Sequence, residues 1–173
     1  MGTPSILGGR TPRETAIAWA FVAAQLVLLF GAIVGGAGSA WSVPDWVRSV
    51  CRVIQYVGLA ILVIGAVNLG RSLTALPTPV PHGQLRTGGL YRWMRHPIYT
   101  GVMALTLGGA VPSGNPVRLV CAAGLVVLFM AKARWEEARL AEQYPGYADY
   151  ARRVPRFVPG FQLVTNTRST DRP

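Results

Sequence analysis

The chain has 173 residues, of which 51% are hydrophobic, and its mean hydropathy is +0.34. It is therefore too apolar for a typical soluble domain and fits one small membrane protein. A net charge of +10 can indicate nucleic-acid binding, but only where a soluble fold presents a basic face. The long apolar runs leave no room for such a face, so no nucleic-acid partner is predicted.

Four apolar stretches are candidates for helices that cross a membrane, because a span needs about 20 apolar residues. Residues 15–36 and 50–69 reach that length, whereas 98–111 and 117–132 are shorter and are joined by a turn rich in proline and glycine. The sequence therefore predicts an all-α integral membrane protein with about four transmembrane helices, the last two of which form a hairpin.

The positions of the charged residues predict how the chain is oriented. Most of the 17 lysines and arginines lie before the first stretch, between the second and third, and after the fourth. The positive-inside rule places these segments and both termini in the cytoplasm. Residues 133–144 are rich in Ala, Glu, Arg and Leu, which predicts a helix projecting into the cytoplasm. Beyond it, aromatic residues alternate with Arg152, Arg153 and Arg156, a mixture suited to the lipid headgroup layer.

We divide the chain into three predicted regions. Residues 1–70 form an N-terminal two-helix membrane region, and residues 71–160 form a helical core with the membrane hairpin and the cytoplasmic helix. Residues 161–173 are predicted to be a flexible tail. The core begins with a proline-rich loop. No spacing of cysteines and histidines indicates a metal site, so none is predicted.

A first polar cluster marks the start of the third apolar stretch. Arg95 and His96 come directly before Pro97, and proline is favoured in the first turn of a helix. Free N–H groups there, beside an arginine, favour an anionic ligand group. Tyr91 and Tyr99 add aromatic faces and hydroxyls. The pattern suits a small zwitterionic ligand with a carboxylate and an aromatic base, or alternatively a basic collar that meets lipid phosphates.

A second polar cluster, Lys132 to Glu137, closes the fourth stretch. On a helix, Lys132 pairs with Glu136 and Arg134 pairs with Glu137. Two adjacent carboxylates do not help to anchor a helix at an anionic leaflet, so one of them is a candidate partner for a cation. The alternative is a set of surface ion pairs on a solvated helix. Because both clusters are predicted at the inner face, we expect them to form one binding site.

The order and spacing of several segments resemble the isoprenylcysteine carboxyl methyltransferase family and its bacterial relatives. The matching segments are LRTGGLY at 85–91, RHPIYTG at 95–101, RWEE at 134–137, YADY at 147–150 and Val154-Pro155. The resemblance covers about residues 70–160, and the N-terminal helices carry no signature of the family.

The resemblance implies an integral-membrane methyltransferase that binds S-adenosylmethionine on the cytoplasmic side through its C-terminal half. By position, the residues that would bind the cofactor are Gln84, Leu85, Arg86, Tyr91, Arg95, His96, Pro97, Ile98, Tyr99, Glu136 and Glu137. In the eukaryotic members of the family, an arginine one helical turn before the cofactor-binding glutamate orients the acceptor carboxylate. Here Lys132 holds that place and Arg134 is the nearest arginine, so both are catalytic candidates.

The resemblance also frames the expected partners and the alternatives. We expect a small lipophilic acceptor that enters between the helices from the lipids of a bacterial cell membrane. A carboxylate is one candidate for the group that accepts the methyl. One alternative is a sterol-reductase-like membrane enzyme that uses NADPH, although its further motifs are missing from the sequence. The other is a non-enzymatic helical membrane protein whose basic collars bind anionic lipid.

Overall fold

The structure, a computed structural model, describes residues 11–36, 39–70 and 85–159, and every secondary-structure element within them is a helix. The predicted all-α class is therefore confirmed. Most of the predicted proline-rich loop and the predicted tail at 161–173 lie outside the described residues. In chain order the elements are α1 (Pro12–Val34), α2 (Asp45–Leu69), a 3₁₀ helix (Gly89–Arg92), α3 (Pro97–Ser113), α4 (Pro116–Gln143) and α5 (Tyr147–Arg153).

Side-chain caps explain where two of the long helices begin. Before α1, the Glu14 backbone N–H donates to Thr11 Oγ1 at 3.2 Å, and the Thr11 N–H donates back to the Glu14 carboxylate at 3.1 Å. This reciprocal capping box satisfies two N–H groups that the helix cannot pair itself. Before α4, the Asn115 side chain accepts from the N–H groups of Val117 and Arg118. Both helices have proline in their first turn, which strengthens the start.

Three of the helices, α1, α2 and α4, are long and apolar enough to cross a membrane, judged by length and composition. The exception is α3, which has 17 residues. At 1.5 Å per residue it extends about 25 Å, less than the hydrocarbon core of about 30 Å. Of the predicted membrane spans, about four in number, three therefore meet the criterion of length and composition. α4 is longer than expected because the apolar stretch at 117–132 and the predicted cytoplasmic helix form one continuous helix of 28 residues.

The four long helices form two packed pairs. α2 packs mainly along α3, α1 packs mainly along α4, and contacts between α3 and α4 join the pairs. The turn between α3 and α4 lies beside the connection between α1 and α2. There, the Ala40 N–H donates to the Gly114 carbonyl at 2.7 Å, and Trp41 Nε1 donates to the carbonyl of Val111 at 3.1 Å. The start of α3 and the end of α4 consequently lie together at the opposite end of the bundle.

The outer faces of α1 and α2 are strongly apolar. Trp19 and Val27 of α1 are 57% and 71% exposed, and Val67 of α2 is 72% exposed. Contiguous apolar exposure of this kind is unusual on a soluble monomer and is typical of surfaces that face lipid. The surface composition and the helix lengths therefore both indicate a membrane protein.

Glycines let α2 and α3 approach each other closely. A Cβ atom built on Gly101 of α3 would lie 2.7 Å from the carbonyl oxygen of Gly58 and 2.7 Å from the backbone nitrogen of Leu62, both in α2. Real Cβ atoms are essentially never found at such distances from backbone atoms. Small residues at a helix interface allow this contact, which larger residues would prevent.

Replacing Gly101 by alanine is expected to push α2 and α3 apart and to destabilise the protein by about 1–3 kcal/mol, the usual range for overpacking. The measurement is thermal unfolding in detergent, followed by tryptophan fluorescence. Gly124→Ala in α4 is the matched control, because its added Cβ would meet only the flexible end of Leu28. Equal midpoints for the two variants would contradict the proposed close contact.

Candidate functional site

The two polar clusters predicted from the sequence meet where α3 begins and α4 approaches its end. His96 Nε2 lies 3.0 Å from Glu137 Oε1, and the Tyr99 hydroxyl donates to Glu136 Oε2 at 2.9 Å. His96 Nδ1 lies 3.9 Å from the same oxygen of Glu136. The two clusters therefore form one site at one end of the bundle, as their predicted placement at the same membrane face required.

Glu137 is the centre of a buried ionic network. Its side chain is 9% exposed and accepts two hydrogen bonds from Arg156, from Nε at 2.9 Å and from Nη2 at 2.5 Å. Arg95 Nη1 lies 3.5 Å from Glu137 Oε2, whereas His96 is nearest to Oε1. The bidentate geometry fixes the carboxylate, and the hydrogen bonds from Arg156 raise the pKa of its guanidinium. A buried charge needs such partners to offset its lost hydration.

The segment after α5 returns to the start of α3 and brings Arg156 to Glu137. The Arg95 N–H donates to the Pro155 carbonyl at 2.9 Å, and the His96 N–H donates to the carbonyl of Arg156 at 3.0 Å. The Thr100 hydroxyl adds a bond to the carbonyl of Phe157 at 3.2 Å. The two N–H groups just before α3 are therefore used by the chain itself, whereas the sequence predicted free N–H groups for a ligand at this helix start.

A small tyrosine cluster supports this docking. Tyr147, Tyr150 and Val154 are buried together, with Leu85 packed against them. The Tyr150 hydroxyl donates to the backbone carbonyl of Tyr91. Burial raises the pKa of the Tyr150 hydroxyl to about 12, so it stays protonated and remains a donor at neutral pH. The cluster thereby links α5 to the 3₁₀ helix that precedes the site.

Aromatic rings from α3, α4 and the segment after α5 lie beside the site. The Tyr99 ring stacks on the His96 ring, with centroids 5.2 Å apart, and on the ring of Phe129, with centroids 4.7 Å apart. The Phe157 ring lies 5.9 Å from the ring of His96. The acidic and basic groups therefore border a stack of aromatic rings.

Lys132 lies one helical turn before Glu136 and faces the interior of the bundle. It is 2% exposed. Its Nζ donates to Gln25 Oε1 of α1 at 2.7 Å and lies 5.4 Å from the centroid of the Tyr99 ring. This ring contact has cation–π geometry. Lys132 is thus placed beside the site, next to the tyrosine that binds Glu136.

Not every residue suggested by the sequence reaches this site. Those that come together are Arg95, His96, Tyr99, Glu136 and Glu137, with Lys132 adjacent. Pro97 and Ile98 face Gly65 of α2, where an added Cβ atom would lie 3.2–3.4 Å from them. Leu85 packs in the tyrosine cluster, and the backbone carbonyl of Tyr91 accepts the hydrogen bond from the Tyr150 hydroxyl of that cluster. Arg86 and Arg134 are exposed. Gln84 lies outside the described residues.

Arg134 and Lys132, the two catalytic candidates, have different environments. Residues two positions apart on an α-helix point about 200° apart. Lys132 is accordingly buried against α1 and α3, while Arg134 is exposed. Of the two cations, the structure brings Lys132 to the site.

Sequence reasoning missed the roles of Arg156 and Gln25. Arg156 was predicted for the headgroup layer and is instead paired with a buried carboxylate. Gln25 is the one strongly polar side chain within the first apolar stretch, and that isolation was the available signal. A polar residue inside a membrane helix needs a partner, and in the structure the partner is Lys132.

The site retains unsatisfied hydrogen-bonding groups. Within the described residues, the buried Arg95 Nε and the buried Tyr147 hydroxyl have no hydrogen-bond partner. The two side chains lie close enough to interact with each other. A buried group that is not fully paired costs about 1–3 kcal/mol, a penalty that a bound ligand can remove. The Glu136 side chain is 25% exposed, so it is partly accessible. Unpaired donors, an accessible carboxylate and stacked rings fit a ligand that carries a carboxylate, a cation and an aromatic base.

Replacing Arg156 by lysine keeps the charge but removes the paired hydrogen bonds to Glu137. We expect the segment after α5 to dock less firmly, so that trypsin cleaves after Arg153 about threefold faster or more. The measurement is limited proteolysis in detergent with mass spectrometry of the fragments. Arg134→Lys is the matched control because Arg134 is exposed. Equal cleavage rates in both variants would show that the bidentate contact does not hold the segment.

The fold and the site together define a small helical protein with membrane-length helices and a buried ionic site at one end of the bundle. The family model described as "Phospholipid methyltransferase" matches residues 51–146, which is more than half of the chain. The chain belongs to this family. The match contains all of α3 and α4, and with them Lys132, Glu136 and Glu137.

Comparison with individual proteins gives a similar result. The chain is 33% identical over 117 residues to protein-S-isoprenylcysteine O-methyltransferase B of Arabidopsis thaliana, covering 61% of the chain and 59% of the relative. The A form from the same plant is 35% identical over 118 residues, covering 66% and 60%. The cobalt-zinc-cadmium resistance protein CzcN of Cupriavidus metallidurans is 29% identical over 137 residues, covering 79% and 58%. The chain thus spans about three fifths of the length of these relatives.

Proposed function

We propose that this chain is a membrane methyltransferase that uses S-adenosylmethionine and acts on a small lipophilic acceptor. The observation that carries the proposal is the direct contact of His96 and Tyr99 with Glu136 and Glu137 inside the region matched by the family model. Two relatives named as O-methyltransferases support the same reaction class.

The residues of the site fit the functional groups of this cofactor. Bound S-adenosylmethionine would supply an electrophilic methyl group on a positively charged sulfur. The unpaired Nε of Arg95 and the neighbouring His96 would bind a carboxylate. Glu136, whose side chain is partly accessible, would bind an amino group or ribose hydroxyls. The rings of Tyr99 and Phe157 would contact the adenine.

Glu137 has a supporting role in this proposal. Its carboxylate is occupied by Arg156, His96 and Arg95. It therefore holds the two basic residues that face the cofactor and does not itself bind the ligand. Orientation of this kind matters because methyl transfer is an in-line displacement, for which the protein mainly aligns the reactants and excludes water.

Lys132 is the proposed residue that orients the acceptor. An acceptor carboxylate needs a cation to position it and no general base, because it is already deprotonated. The Lys132 ammonium is buried beside Tyr99, which connects it to Glu136. Arg134 is exposed, so we assign the role to Lys132.

We place the protein in a bacterial cell membrane with the site on the cytoplasmic side. This orientation follows from the basic residues that flank the apolar stretches. The apolar outer faces of α1 and α2 would contact membrane lipids, and a lipophilic acceptor would reach the site laterally between helices.

The test is calorimetric binding of S-adenosylhomocysteine to the purified protein in detergent. We expect one ligand per chain and an affinity that falls about tenfold or more in His96→Ala, since His96 contacts both glutamates. Arg134→Ala is the control and should bind like the unmodified protein. No binding by the unmodified protein would overturn the proposal. Radiolabelled methyl transfer into a total lipid extract would then identify the acceptor.

A further inference from the structure

The single lysine of the chain is buried inside the helix bundle. Lys132 is the only lysine among the 17 Lys and Arg residues, and it is 2% exposed. Ionisable residues within apolar helices are costly to hold there, and those that occur commonly face a protein interior and serve a function. The proposed function gives this ammonium group an anionic acceptor. It leaves open what holds the group in position.

The contacts of the ammonium group come from two other helices. Nζ donates to Gln25 Oε1 of α1 at 2.7 Å, and it lies 5.4 Å from the Tyr99 ring centroid in α3. Among the residues that the structure describes, no carboxylate oxygen lies within 4.0 Å of Nζ. An ammonium group has three N–H donors. The neutral amide of Gln25 therefore anchors the group without neutralising its charge.

Further contacts fix α1 in register against α4. Glu14, near the start of α1, forms an ion pair with Arg139 at 3.1 Å. The ring of Phe21 lies 6.0 Å from the ring of Trp135. Gln25 is one turn beyond Phe21 on the same helix and reaches Lys132, as a shared face of α1 requires. The contact is thus one of a series along the interface.

The geometry points to Gln25 as a positioning residue of the acceptor site. Its amide oxygen holds the Lys132 ammonium beside Tyr99 and leaves the positive charge available to an anionic group on a lipophilic acceptor. This inference rests on the proposed function. α1 lies outside the region matched by the family model, at 51–146, yet it would form one wall of the acceptor site.

The single lysine makes a direct test possible. Protein labelled with [ε-¹³C]lysine and placed in lipid nanodiscs gives one lysine side-chain NMR signal. We expect decanoate, a lipophilic carboxylate, to shift this signal in the unmodified protein, whereas decanol, its uncharged counterpart, does not. In Gln25→Leu the half-maximal decanoate concentration should rise about tenfold or more, because the ammonium loses its anchor.

Gln25→Glu tests whether the Lys132 ammonium must keep an unneutralised charge for the acceptor. Glutamate keeps the size and the acceptor oxygen, so it still anchors the ammonium, but its charge pairs with Lys132 and competes with decanoate. The half-maximal concentration should again rise about tenfold or more. Gln55→Leu on α2, the same substitution in another apolar helix, should respond like the unmodified protein. If Gln25→Leu does not fold, Gln25→Glu carries the test.

The outcomes distinguish this inference from the proposed function. An equal decanoate response in the unmodified protein, Gln25→Leu and Gln25→Glu would overturn the role of Gln25, as would no response in the unmodified protein. S-adenosylhomocysteine binding is measured on the same samples and should stay within about twofold in both variants, because Gln25 does not contact the cofactor residues. Its absence from the unmodified protein would overturn the proposed function instead.

Discussion

Replacing Glu137 by glutamine is expected to lower the free energy of unfolding by about 3–5 kcal/mol, the cost of removing one partner from a buried ionic network. The carboxylate accepts two hydrogen bonds from Arg156 and lies against His96 and Arg95. A neutral amide would leave the two guanidinium groups close together without an anion between them. It would also meet Arg156 with an NH₂ group where an acceptor oxygen is needed.

Thermal unfolding in detergent measures this effect, and Glu142→Gln provides the control. Glu142 lies on the same helix and is exposed, so the same chemical change there should leave the midpoint nearly unaltered. Similar midpoints for the two variants would show that the Glu137 network contributes little to stability. We also expect Glu137→Gln to weaken S-adenosylhomocysteine binding, because Arg95 and His96 lose the group that orients them.

Replacing Glu136 by glutamine is expected to affect ligand binding strongly and stability little. Its side chain is 25% exposed and accepts a hydrogen bond from the Tyr99 hydroxyl, which an amide oxygen can also accept. The unfolding midpoint should therefore change little. S-adenosylhomocysteine binding should weaken about tenfold or more, or about 1.4 kcal/mol, because the charge that would face the ligand is lost.

Calorimetry on Glu136→Gln and on Tyr99→Phe checks this assignment. The tyrosine variant keeps the carboxylate and removes only the hydroxyl that orients it, so its loss of affinity should be smaller than that of Glu136→Gln. An unchanged affinity in Glu136→Gln, measured in protein with a normal unfolding midpoint, would remove Glu136 from the cofactor site.

The sequence predicted most of the fold because length and hydropathy are local properties. The stretches at 15–36 and 50–69 correspond to α1 and α2, and the turn rich in proline and glycine separates α3 from α4. The prediction divided α4 in two because hydropathy falls after Ala131. A fall in hydropathy marks where a helix could leave the hydrocarbon layer, and it does not end the helix when no proline or glycine follows. The first such break comes at Pro145, after α4 has ended.

The sequence predicted part of the site for a similar reason. Orientation by charge placed both polar clusters at one membrane face, and His96 and Glu137 are in contact there, although 41 residues separate them. Periodicity within a helix does not reveal which face meets which neighbouring helix. The contact of Gln25 with Lys132, across 107 residues, was therefore not predictable. The return of Arg156 to Glu137 depends on the path of a short segment that carries no periodic pattern.

The position of Arg156 in the chain also fixes the order in which the site can form during synthesis. Glu137 leaves the ribosome 19 residues before Arg156 does, so the nascent chain first presents this carboxylate without its bidentate partner. The start of α3 gains its hydrogen bonds to the carbonyls of Pro155 and Arg156 only when translation has passed them. The bidentate partner of Glu137 is thus made after α3 and α4, and a product cut short before Arg156 would leave this carboxylate with only His96 and Arg95 beside it.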